Sequence, residues 1–213
     1  MELIPTVISA GYAAGLNAYG TVALLGLLGR AGFGEVPEPL ESDGIIIGAA
    51  VMYAIEFVTD KVPFLDNAWD VVHTLVRPAI GSAIGVEFAE LDRVTGTEEV
   101  LAGGGAGSVA LTSHAIKAGV RLGINASPEP FSNIVASLAE DGIVAVVIAL
   151  VLKEPLIALA VVIVLLAAGI GLLMLLRRAI RRALAKRRER KGPLVEEEPP
   201  GEPPGDPPDP PSA

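Results

Sequence analysis

Between Pro155 and Leu176 the chain reads PLIALAVVIVLLAAGIGLLMLL, twenty-two residues without a charge. As an α-helix rising ~1.5 Å per residue this run is about 33 Å long, enough to cross the hydrocarbon core of a bilayer. The rest of the composition agrees with a lipid solvent. Hydrophobic residues make up 51% of the 213 and charged residues 19%, and the mean hydropathy is +0.55. Soluble domains carry about 25% charged residues. Aromatics are only 4%, so Ala, Leu, Ile, Val and Gly supply the apolar excess. Cysteine is absent, which excludes a disulfide framework, a cysteine-bound zinc site and thiolate catalysis. The net charge of −9 argues against nucleic acid as a partner.

Five further segments are apolar but less pure. Leu3–Gly29 is uncharged, with Pro5, Asn17 and several glycines breaking its texture. Glu2 precedes it instead of a cationic stretch, so a cleavable signal peptide is not expected. Gly44–Lys61 contains Glu56 and Asp60, and Asp66–Val86 contains Asp70, His73 and Arg77. Val100–Arg121 ends in His114, Lys117 and Arg121, and Phe131–Leu152 holds Glu140 and Asp141. The expected fold class is all-α, a polytopic transmembrane helical bundle of five to six membrane segments. Asp66–Val86 is alternatively a re-entrant helix.

After Leu176 the character changes. Arg177–Lys191 holds nine of the sixteen Lys and Arg residues, and Gly192–Ala213 holds nine of the seventeen prolines with six carboxylates. The predicted organisation is a transmembrane domain over residues 1–176, a basic juxtamembrane segment over 177–191 and a disordered acidic tail over 192–213. The basic segment should stay on the cytoplasmic side and meet anionic lipid there. With six crossings both termini are cytoplasmic, and the acidic loops around Glu38 and Asp92 face outward. The proline-rich tail reads as a solvated extension, with an SH3-type ligand as the alternative.

Charged side chains inside apolar segments fall into a pattern. Asp66, Asp70, His73 and Arg77 are spaced by four, three and four, which puts them on one helical stripe. Glu56 and Asp60 are four apart, and His114, Lys117 and Arg121 form a second stripe, read as cationic. Lipid exposure of such groups is costly, so the stripes should face inward and meet across a polar vestibule, with Lys61 near its rim and Glu140–Asp141 at its deep end. The plainer alternative is a set of structural ion pairs, with Lys61, Lys117 and Arg121 snorkelling to the headgroups. His73 and His114 with the carboxylates have ligand types suited to Mn, Fe or Zn, but no contiguous metal signature accompanies them. No cofactor is implied. Gly103, Gly104, Gly105 and Gly107 lack a P-loop lysine and read as a close helix-packing face. No nucleophile elbow is present, so no enzymatic chemistry is supported.

The stretch EFVTDKVPFLDNAWD from Glu56, the run HAIKAGVRLGINASPEPFSNIVASLAED from His114 and the opening AAGLNAYGTVALLGLLGRAG resemble the domain of unknown function 4126 family, small bacterial polytopic membrane proteins. The likeness covers about residues 6 to 176. It implies a multi-pass protein of the bacterial inner (plasma) membrane and brings no established activity. Each half places an apolar helix before one bearing paired carboxylates, a weak internal repeat of the kind secondary transporters have. SPEP (Ser127–Pro130) and Pro63 suit helix interruptions. The function expected first is a small permease for an ion or small polar solute. The alternatives are an anionic-lipid-handling protein, with His114, Lys117 and Arg121 on a phosphate, and a membrane scaffold without a substrate. Free cations would favour the lipid reading; cations already paired would favour a structural network.

Overall fold

The computed structural model describes residues 2–62, 65–125 and 130–190, without the side chains of residues 66, 67, 125, 130, 183, 184 and 186–190. The described residues form seven α-helices and no strand: α1 (Leu3–Leu16), α2 (Ala18–Arg30), α3 (Asp43–Thr59), α4 (Leu65–Leu91), α5 (Thr97–Asn125), α6 (Pro130–Lys153) and α7 (Pro155–Arg190). A short 3₁₀ turn, Glu38–Glu41, precedes α3. The chain divides into two units, residues 1–176 and residues 177–213. The Pro-rich tail, residues 127–129 of the SPEP loop and Pro63 lie outside the described residues, and Pro130 begins α6. The helix α6 from Phe131 and the helix α7 as far as Arg182 are long and apolar enough to cross a membrane.

The helix α1 lies at the centre of the first unit, packed against α2, α4, α5 and α6. Its residues are small, and from Ser9 to Leu16 every one is buried. Small side chains let backbones approach, so that the helices meet in close van der Waals contact. A Cβ added at Gly15 would sit 2.2 Å from the Ala110 carbonyl oxygen of α5. The α4–α5 contact uses the same device. Gly81 and Gly85 face Ala102–Ala110, while Gly103 and Gly107, one turn apart, face Ser82 and Val86. Gly104 points into open space, so the packing face read from the glycine run is the Gly103–Gly107 row.

The uncharged run Leu3–Gly29 is not one helix. It breaks at Asn17, whose extended backbone (φ −150°, ψ 99°) separates α1 from α2. The Asn17 side chain caps α2 by accepting from Gly20 N at 2.8 Å, and its carbonyl accepts from Thr21 Oγ1 at 2.8 Å. Asparagine is among the strongest N-cap residues because its short side chain reaches an orphan amide of the first turn.

Polarity is distributed inside out. Glu56, Arg77, Arg121 and Asn133 are fully buried, whereas Ile47, Val51, Val58, Val71, Leu75 and Leu101 are more than half exposed. These exposed aliphatics lie on α3, α4 and α5 as well as on the two most apolar helices. Asp70 and Arg77 of α4 and Lys117 and Arg121 of α5 are turned inward, so along these stretches the outer surface is more apolar than the sequence, whereas Glu90 and Glu98 remain exposed.

Candidate functional site

The charged residues converge where α1 ends. Asp60 closes the C-terminus of α3, Asp70, His73 and Arg77 lie in the first half of α4, His114, Lys117 and Arg121 in the last third of α5, and Glu140 and Asp141 near the middle of α6. Helix α5 runs into this end and α6 runs out of it, which is why groups far apart in sequence meet there.

Two clusters result. In the first, Lys117 Nζ donates to Asp60 Oδ2 at 2.7 Å and lies 3.3 Å from Glu140 Oε2. Arg121 grips Glu140 with both arms, Nη2 to Oε2 at 2.6 Å and Nε to Oε1 at 3.1 Å, and lies 3.6 Å from Asp60 Oδ2. The remaining arm of Arg121 donates to the Asp60 carbonyl at 2.7 Å and to Asn133 Oδ1 at 2.9 Å. Two cations face two carboxylates, and the fork of Arg121 suits a planar carboxylate.

In the second cluster Arg77 Nη2 donates to Glu56 Oε1 at 2.6 Å, with both side chains fully buried. Arg77 Nη1 lies 3.3 Å from Asp70 Oδ1, without the geometry of a hydrogen bond. That nitrogen instead approaches His114 Nδ1 at 2.7 Å. A guanidinium can only donate, so His114 Nδ1 offers its lone pair and the proton sits on Nε2. Nε2 in turn donates to the Asp70 carbonyl at 3.1 Å. His114 is therefore neutral and does not extend the cationic stripe of α5. His73 is buried on the same side, its Nδ1 donating to the Trp69 carbonyl at 2.8 Å and its Nε2 3.2 Å from the Tyr19 hydroxyl.

The break in the first helix joins the two clusters. A helix end leaves carbonyls without intrahelical donors. The Gly15 carbonyl accepts from Arg77 at 3.3 Å and the Leu16 carbonyl from Lys117 at 3.0 Å. Cations at a helix C-terminus also complement its dipole. Asn17 Nδ2 donates to Asp141 Oδ1 at 3.0 Å, while Asp141 Oδ2 accepts no hydrogen bond of good geometry among the described residues. A cavity of about 260 Å³ adjoins this pair, with Tyr53, Leu24, Ala50 and Val144 in its wall.

The structure thus brings Glu56, Asp70, Arg77 and His114 together, and separately Asp60, Lys117, Arg121 and Glu140. Among the described residues the carboxylates paired with Lys117 and Arg121 are Asp60, at the end of α3, and Glu140 on α6. Glu140 and Asp141 are neighbours in sequence but point to different partners. Lys61 is half-buried, donating to the Phe57 carbonyl at 2.9 Å and Ser137 Oγ at 3.2 Å. The side chain of Asp66 lies outside the described residues. Sequence reasoning missed Asn17 and Asn133. The first had a signal, an N-cap residue followed three positions later by glycine inside an apolar run; the second had none.

No curated protein and no solved structure matches the chain. A family model does, over residues 4–175, the whole first unit apart from its ends, and it includes every charged residue of both clusters. The chain belongs to the family described as Domain of unknown function (DUF4126).

Proposed function

We propose that this chain is a small multi-pass membrane protein of permease type, handling an ion or small polar solute where its first helix breaks. The observation that carries the reading is the Asn17 joint. Interrupted helices expose backbone carbonyls and amides at membrane depth, and such breaks form the sites of many secondary transporters. Here the joint touches both charged clusters and Asp141.

Six crossings fit best, with α1 and α2 together making one broken crossing. The exposed aliphatics of α3, α4 and α5 support lipid around them, and α4 and α5 have 27 and 29 residues, ample for a span. Exposed Arg177, Arg178, Arg181 and Arg182 favour a cytoplasmic C-terminus beside anionic lipid, in a bacterial inner membrane. The lipid-headgroup reading is weaker, because Arg77 and Lys117 already hold carboxylates at 2.6 and 2.7 Å. A phosphate would have to displace them. A scaffold reading suits the four-membered cluster but leaves the joint without a role.

The test is reconstitution into liposomes enclosing pH- or cation-sensitive dyes, with a panel of small polar solutes in parallel. The wild type should dissipate an imposed gradient, and Asp141→Asn, which keeps the shape beside Asn17 and removes the charge, should fall to the rate of empty liposomes. A wild type no faster than empty liposomes across the panel would overturn the proposal.

A further inference from the structure

The two clusters differ in charge. Asp60 and Glu140 face Lys117 and Arg121, an even match. Among the described residues Glu56 and Asp70 share Arg77 as their ion-pair partner, because His114, by accepting from Arg77, is neutral. Arg77 is also committed elsewhere: it donates to Glu56 at 2.6 Å, to His114 at 2.7 Å and to the Gly15 carbonyl at 3.3 Å. Asp70 is 3% exposed, and neither of its oxygens accepts a hydrogen bond among the described residues.

A buried carboxylate with no donor and only a share of one cation is a costly state in a low-dielectric interior. Neutralisation removes the cost. From these contacts we infer that Asp70 is a proton-binding site, holding one exchangeable proton beside the Glu56–Arg77 ion pair. The groups that set its field come from every neighbouring element. They are Arg77 on α4, Glu56 and Asp60 on α3, Lys117 and neutral His114 on α5, and Glu140 on α6. The proton enters and leaves as such, with no other bond made or broken. This names the ion of the permease reading, and it rests on that reading only for its consequence, proton movement.

Infrared spectroscopy of the full chain in lipid separates the two. A protonated carboxyl absorbs apart from carboxylates. Wild-type protein at mildly acidic to neutral pH should show a buried protonated-carboxyl band that fades as the pH is raised, and Asp70→Asn should lack it while folding normally. Absence of the band from the wild type, or its persistence in Asp70→Asn, would overturn the site. So would failure of Asp70→Asn to fold, since an amide replaces a neutral carboxyl with little change in shape. A slow shift of the band with added sodium or potassium at constant pH would instead assign the site to a metal cation and sink the proton. A positive band beside a silent liposome assay would retain the site and discard the permease.

Discussion

The cluster around Arg121 and the cluster around Arg77 each join one arginine to an Asp and a Glu near the end of α1, yet they differ in balance. The first has two cations for two carboxylates, a bidentate arginine and Asn133 bridging to the Asp60 carbonyl at 3.1 Å. The second has one arginine for two carboxylates and leaves Arg77 Nε and both Asp70 oxygens without hydrogen-bond partners. In a medium that screens little, a matched cluster is a fixed strut and an unmatched one has a vacancy for a positive charge. The difference teaches that counting charges per cluster says more than counting them per helix.

The largest expected effect is on the matched side. Arg121→Leu removes the bidentate partner of Glu140 and leaves Lys117 as the ion-pair partner of both carboxylates among the described residues, and breaking a buried pair in this way costs about 3–5 kcal/mol. Little folded protein should survive extraction, read as loss of the monodisperse peak in size-exclusion chromatography. A mild effect would remove the distinction between strut and vacancy. Removing a matched pair should hurt less than removing half of it. Lys117→Met with Asp60→Leu is therefore expected to be more stable than either single change, measured by thermal unfolding in detergent.

On the unmatched side Glu56→Gln is expected to cost less, about 1–3 kcal/mol, because Arg77 keeps Asp70 as a counter-ion. It should also abolish the protonated-carboxyl band, since Asp70 then ionises to balance Arg77. A band that remains would show the charge count to be wrong. Asn17→Ala is the smallest change, removing one helix cap for about 0.5–2 kcal/mol together with the hydrogen bond to Asp141, while leaving both clusters intact. Its unfolding midpoint should move by no more than a few degrees.

Two helices were legible in the sequence to within a few residues, because uncharged runs and their polar ends coincide: Gly44–Lys61 was expected where α3 spans Asp43–Thr59, and Phe131–Leu152 where α6 spans Pro130–Lys153, whereas α7 continues from the expected end at Leu176 to Arg190. The inward turn of Asp70, His73, Arg77, Lys117 and Arg121 was legible because helical spacing puts them on single stripes of otherwise apolar helices. The break at Asn17 did not emerge, since an apolar run conceals a cap that only one side chain announces. Pairing was beyond reach as well. Helical spacing puts Lys117 and Arg121 on one face, but which carboxylates face them depends on how α3 and α6 approach. The charge of His114 depends on a single contact with Arg77, 37 positions away.

The most direct test sets Asp60→Asn beside Asp70→Asn in the same lipid or detergent, comparing unfolding midpoints at neutral pH. Both replace a buried carboxylate by its amide, so their difference isolates the charge balance of the two clusters. Asp60→Asn should lose several degrees or fail to accumulate, because it leaves an excess cation in the matched cluster. Asp70→Asn should unfold at the wild-type midpoint or slightly above it. Equal losses, or a larger loss for Asp70→Asn, would contradict the account.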